Sequence, residues 1–205
     1  MFVIGKIMAP MQDKSDFIPI ALPTLGDSES AAANRVIQSG WITQGPEVAA
    51  FEQAFAQYVD APYACAVSSC TAALHLALLT AGVKPGDEVV TVSHTYIASA
   101  NSIRFCGAIP VFVDIQPTSF NINPDLIEAA VSNKTAAILC VHQMGLPCAL
   151  KAIIKIADRY KLAVIEDAAC AIGSEIKINS KYFFCSRFKT KKALFNENIF
   201  KRLQF

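Results

Sequence analysis

Asp167 closes the apolar run "LAVIED" (162–167) and is followed at once by the small residues "AACAIGS". A carboxylate leaving a buried strand has two readings. It caps the turn or helix that follows by accepting from free backbone N–H groups. Alternatively, it holds the protonated ring nitrogen of a bound pyridine, which keeps that ring charged and strengthens it as an electron sink. Glu166 alternates to the opposite side of the strand and suits a structural ion pair or hydrogen bond. Two further stretches carry comparable chemistry. "SSCTAALHLAL" (68–78) opens a helix with hydroxyls and small residues directly after an apolar run. The backbone N–H groups of Ser69, Cys70, Thr71 and Ala72, with the positive end of the helix dipole, suit a phosphate. They suit an ordinary Ser/Thr cap as well. "SHTYIAS" (93–99) puts Tyr96 just past another apolar run. Its ring either stacks on a flat ligand or lines the core, and His94 shares that role or faces solvent.

Each stretch alone reads as local structure. Together they supply a phosphate seat, an aromatic plate and an anion, the set that suits pyridoxal phosphate, a pyridine ring with a phosphate arm. Other chemistries lack their marks. There is no GxGxxG and no GxxxxGK[ST], so neither a dinucleotide site nor a P-loop is supported. The seven cysteines are odd in number and show no CxxC pair, and the three histidines are far apart. Reduced cysteines and no metal site are expected.

These residues need a scaffold that brings strand ends to one edge. Apolar runs at 64–68, 88–92, 110–114, 136–141 and 162–166 read as strands. Helical patterns lie between them at about 71–82, 96–106, 124–132 and 149–160. The third has Asn123 as N-cap and Pro124 at its first position. The fourth puts Leu150, Ile153, Ile154, Ala157 and Tyr160 on one face. Two more helices are expected over 27–40 and 45–59, around the turn-like "GWITQG". Continuous apolar strands alternating with helices predict an α/β fold with a mostly parallel sheet covered on both faces. Ligands of such sheets bind beyond the carboxyl ends of the strands. The stretches around Thr71, Tyr96 and Asp167 all fall at that edge.

Of the 205 residues, 53% are hydrophobic and 17% charged, which excludes general disorder. No apolar run approaches the roughly 18 residues of a membrane span. The N-terminal "MFVIGKIMAPMQDKSDF" lacks a convincing signal-peptide core and cleavage site, so a cytoplasmic protein is expected. The overall charge of +1 hides an asymmetry. Residues 1–176 hold 10 Lys and Arg against 16 Asp and Glu, whereas 177–205 hold 8 against one. Such a switch marks a boundary.

Seven stretches, in order, resemble the DegT/DnrJ/StrS-type sugar aminotransferases. They are "IPIALPTLGDSE", "SGWITQGPEVAAFEQAFAQYV", "SSCTAALHLAL", "GVKPGDEVVTVSHTYIASANSI", "GAIPVFVDI", "VHQMGLPC" and "VIEDAACAIGS". The resemblance covers about residues 18–176 and implies a partial fold-type-I transferase large domain, with 1–17 as an N-terminal extension and 177–205 as a tail outside the family pattern. It implies pyridoxal 5'-phosphate as cofactor, a nucleotide-linked keto-sugar as amino acceptor, glutamate as donor, and a homodimer, with no nucleic acid or membrane partner. By the family pattern Cys70, Thr71 and Ala72 hold the phosphate, Tyr96 stacks on the ring and Asp167 pairs with the ring nitrogen. Cys170 stands where relatives often carry Gln or His near the ring hydroxyl. Cys70 replaces a usual Gly. The stretch "VHQMGLPC" most resembles members that make amino sugars for surface polysaccharide, although Ala149 follows it where many relatives have Asp.

The resemblance stops at the lysine the reaction requires, whose amine forms the Schiff base and shuttles the proton. Relatives carry it in a Ser-Phe-His-x-x-Lys-like stretch before a Gly-rich turn. This chain instead reads "EIKINSKYFFCSRFKTKKALFNENIFKRLQF" after Ser174. Three readings stand: a broken reading frame that leaves a catalytically incomplete fragment; a divergent tail in which Lys189, Lys191 or Lys192 replaces the lysine; or a basic, aromatic-rich segment with a binding role. The fragment reading predicts exposed apolar surface and poor solubility. A non-enzymatic remnant or sensor that holds pyridoxal phosphate or the sugar is the alternative function. An unrelated Rossmann-like binder is disfavoured by the missing Gly-rich fingerprint.

Overall fold

The computed structural model describes residues 22–178 and 181–184. Residues 1–17 and most of the 177–205 tail, including Lys189, Lys191 and Lys192, lie outside the described residues. The chain divides into two compact units, Met1–Glu47 and Val48–Phe205.

The described part of the first unit holds α1 (Asp27–Ser39), the start of α2 (Pro46–Tyr58) and the turn between them. Glu29 accepts from the Gly26 N–H at 2.7 Å, satisfying one of the free donors at the start of α1. Gly40 ends the helix at φ 72°, a conformation that glycine adopts without a Cβ penalty. In the turn, the Trp41 indole donates to the Gln44 carbonyl at 2.8 Å.

The second unit is built on a four-stranded parallel sheet of order β2-β1-β3-β4. Its strands are β1 (Glu88–Val92), β2 (Ile109–Val113), β3 (Thr135–Val141) and β4 (Ala163–Asp167). Each lies within a residue of its expected position. Helices α3 (Cys70–Thr80), α4 (Ile97–Phe105), α5 (Pro124–Ala130) and α6 (Leu150–Tyr160) complete the α/β unit. Val89, Val90, Ile138, Leu139, Ile103, Leu78 and Ile153 are fully buried in one continuous core. The anticipated face of α6 points inward: Leu150, Ile153 and Ala157 are fully buried and Ile154 packs against the core. Tyr160 stays partly exposed and donates to Glu128 at 3.1 Å. Asn123 caps α5 by accepting from the Asp125 N–H at 3.1 Å, with Pro124 in the first turn.

One expected strand does not form. Residues 64–68 carry no strand, although "ACAVS" has a strand composition. A strand exists only through a ladder with a neighbouring backbone. No ladder partner runs beside this segment among the described residues, and the Ala66 N–H donates instead to the Glu52 carboxylate at 2.7 Å. Conversely, β5 (Glu175–Ile178) pairs antiparallel with β6 (Lys181–Phe184), so a two-stranded sheet spans the position where the charge switches. No helix among the described residues is long and apolar enough to cross a membrane.

Candidate active site

The site lies beyond the carboxyl ends of the parallel strands, beside a reversal in the sheet order. The chain runs from β1 to β2 on one side, then crosses to β3 on the other side of β1 and on to β4. Ligands of parallel sheets settle at such a reversal, beyond the carboxyl ends. Asp167 is the last residue of β4, opposite Val141 of β3, and is only 6% exposed. Three donors hold its carboxylate. Ser99 of α4 reaches Oδ2 at 2.8 Å. The Ala169 N–H reaches Oδ1 at 3.2 Å, and the Cys70 thiol lies 3.8 Å from the same oxygen. Asp167 therefore caps the turn after β4 and lies beside the first residue of α3.

Burial first, and the Asp167 carboxylate second, push the Cys70 thiol up from its ordinary pKa. The group is therefore a protonated S–H that donates to Asp167 at neutral pH. Ser69 is the N-cap of α3 and accepts from the Ala72 N–H at 3.2 Å. That bond occupies one of the four N–H groups expected to cradle an anion. The N–H groups of Cys70 and Thr71 have no acceptor within the helix, because the first turn lacks preceding carbonyls.

Tyr96 is the N-cap residue of α4 and its side chain is 79% exposed, so its ring is open at this edge rather than buried in the core. The His94 ring lies against Phe120, with centroids 5.9 Å apart. Cys170 is an exposed free thiol in the turn after Asp167. Asp167 is in contact with both Cys70 and Ser99. Among the described residues no side-chain hydrogen bond joins Thr71, Tyr96 or Cys170 to Asp167.

Glu166 takes the structural role expected for it. His142 Nδ1 accepts from the Cys148 N–H at 3.0 Å, which places the ring proton on Nε2. Nε2 then donates to Glu166 at 2.9 Å. These bonds anchor the loop after β3. Asn121, 2% exposed, clamps the same loop. Its Nδ2 donates to the carbonyls of Leu146 at 3.0 Å and Pro147 at 3.3 Å, and its Oδ1 accepts from the Gln143 N–H at 2.9 Å. Ser174 donates to the Gly145 carbonyl at 2.7 Å, tying the loop to the segment beyond Asp167. Gly145 has φ +80°, and a Cβ there would meet the Cys170 carbonyl at 3.0 Å. Asn121→Ala is expected to cost about 2 kcal/mol, because it removes three hydrogen bonds from part-buried backbone groups. Urea denaturation checks this, and a loss under 0.5 kcal/mol would show that the clamp is dispensable.

Sequence reasoning missed Ser99, Thr95 and Asn121. The signal for Ser99 was a hydroxyl on the inward face of a helix among Ala98, Ala100 and Ile103, all of them buried. Asn121 gave no sequence signal, because its partners lie more than 20 positions away.

The comparisons bear on the family and the fold. The description "DegT/DnrJ/EryC1/StrS aminotransferase family" matches residues 23–181. The spore coat polysaccharide biosynthesis protein SpsC of Bacillus subtilis is 44% identical over 167 residues, covering 82% of this chain and 43% of SpsC. Among solved structures, DesV of S. venezuelae is 42% identical with a TM-score of 0.69, over 71% of this chain and 39% of DesV. The PMP form of the sugar aminotransferase Spr1654 of Streptococcus pneumoniae has a TM-score of 0.73 at 32% identity, over 77% of this chain and 43% of that one. The chain thus spans about two fifths of the length of these relatives. With the family pattern running through the sheet and every expected strand end but the first, the chain belongs to the DegT/DnrJ/EryC1/StrS aminotransferase family.

Proposed function

We propose that this chain is the cofactor-holding part of a pyridoxal-phosphate-dependent aminotransferase that aminates a nucleotide-linked keto-sugar, with glutamate as donor. The observation that carries the reading is the buried Asp167 carboxylate at a parallel strand end, joined to the start of α3 through Cys70. The residues fit the group. Asp167 accepts from the ring nitrogen. Cys70 and Thr71 offer helix-start N–H groups to the phosphate, and Ala72, whose N–H is engaged by Ser69, lines the seat without donating. Tyr96 presents an open ring for stacking. Cys170 lies in the turn beyond Asp167, and by the family pattern it would stand near the ring hydroxyl. Pyridoxal phosphate, when bound, supplies the electron sink that stabilises negative charge next to the transferred nitrogen. Asp167 holds the proton on the ring nitrogen that keeps this sink effective.

Residues 18–176 form the partial large domain in this reading, 1–17 an extension and 177–205 a separate tail. A cytoplasmic homodimer that supplies amino sugar for surface polysaccharide fits the similarity to SpsC, whose name refers to spore coat polysaccharide. Lys189, Lys191 and Lys192 are the candidates for the lysine that forms the Schiff base. The test is to incubate the chain with pyridoxal phosphate, reduce it with borohydride, measure intact mass and map the modified lysine. One stoichiometric adduct at one of these lysines supports a working transaminase. Saturable binding without an adduct supports a cofactor-holding remnant. Absence of binding overturns the reading.

A further inference from the structure

We propose that Thr95 and Ser99 form a hydroxyl relay that orients the Asp167 carboxylate toward the cofactor's ring nitrogen, which makes Ser99 a positioning residue for that contact. The proposal rests on the assignment of Asp167 to the ring nitrogen given above. Ser99 is fully buried, and its Oγ lies 2.8 Å from Asp167 Oδ2 and 2.8 Å from Thr95 Oγ1. An ionised carboxylate only accepts hydrogen bonds, and a hydroxyl has one proton to give. The Ser99 proton therefore goes to Asp167, and Thr95 donates to Ser99. The direction of the chain is fixed from Thr95 through Ser99 to the carboxylate, and bonds in such a chain polarise one another.

The relay also decides which acceptor remains. Oδ1 receives the Ala169 N–H and, at longer range, the Cys70 thiol. Among the described residues Oδ2 receives Ser99 alone, and each carboxylate oxygen accepts about two donors. The remaining acceptor position therefore lies on Oδ2, and Ser99 holds the carboxylate at the rotation that presents it. Tyr96 stands three residues earlier in the same turn, its carbonyl accepting the Ser99 N–H at 3.1 Å. One helical turn thus carries both the exposed ring and the hydroxyl that sets the anion.

The test compares two ligands on the full chain: pyridoxal phosphate and its 1-deaza analogue, whose ring carries a C–H in place of the nitrogen. Dissociation constants are measured by fluorescence titration for the unaltered chain, Ser99→Ala, Ser99→Thr, Thr95→Val and Asp167→Asn. The unaltered chain is expected to prefer pyridoxal phosphate. Ser99→Ala is expected to cut that preference about tenfold, the size of one hydrogen bond to a charged group, while the analogue binds as before. Ser99→Thr, which keeps the hydroxyl, is expected to restore it. Thr95→Val is expected to shift it the same way by about threefold, and it carries the test if Ser99→Ala does not fold. Equal weakening of both ligands by Ser99→Ala, with Asp167→Asn still abolishing the preference, overturns the relay and leaves the Asp167 assignment standing. No preference in the unaltered chain, or none lost in Asp167→Asn, overturns both.

Discussion

Asp167→Asn is expected to weaken pyridoxal phosphate binding by about 100-fold while leaving the fold intact, the scale of losing one partner of a desolvated charge pair. The carboxylate is 6% exposed, so a protonated ring nitrogen placed beside it would be screened very little by water. An amide of the same shape keeps an oxygen for the Ala169 N–H but brings an NH2 group to the place of Oδ2. That group offers no acceptor to a ring N–H, and it meets the Ser99 hydroxyl, which must turn to accept. The cost to folding is small because Ser99 and Thr95 can reverse their donor order. An absorbance titration with pyridoxal phosphate reads the affinity, and a thermal melt reads the fold. A dissociation constant within twofold of the unaltered chain would leave Asp167 as a turn cap and nothing more.

Ile138→Ala should lower stability by about 4 kcal/mol. Ile138 sits in the middle of β3, with Val90 of β1 on one side and Val164 of β4 on the other, and none of it reaches solvent. Its neighbours are held by two parallel ladders, so the sheet cannot collapse into the cavity. Against a typical total of 5–15 kcal/mol, this loss is a large share. Urea unfolding would show a lower midpoint with an unchanged slope, the sign that the folded structure is weaker but equally compact. Leu79→Ala, on the exposed side of α3, serves as the control and should move stability by less than about 0.5 kcal/mol. Similar losses at both positions would mean that β3 is not the centre of the core.

Much of this arrangement was legible in the residues. β1 was readable as "EVVTV" because a strand buried on both faces is a short unbroken apolar run. The start of α5 was readable because Asn123 and Pro124 act on backbone groups one or two positions away. Asp167 was readable as a strand-end acid because the apolar run stops there. The segment 64–68 has the same composition as the strands but lacks a partner backbone among the described residues, and composition carries no information about partners.

Most of the elements, their order, the edge at which the polar residues gather and the family pattern were thus set by the residues alone, the strand at 64–68 and the β5–β6 pair excepted. These are local matters: side-chain period, caps and the chain's own covalent order. Only the tertiary structure decided that β3 crosses to the far side of β1. It alone brought Cys70 to Asp167 across 97 positions and Ser99 to Asp167 across 68, and set Asn121 as the clamp of the loop after β3. The physical reason is that a hydrogen bond between distant residues depends on which strands lie side by side. Strand order follows from burying every apolar face at once, which no stretch of sequence expresses alone.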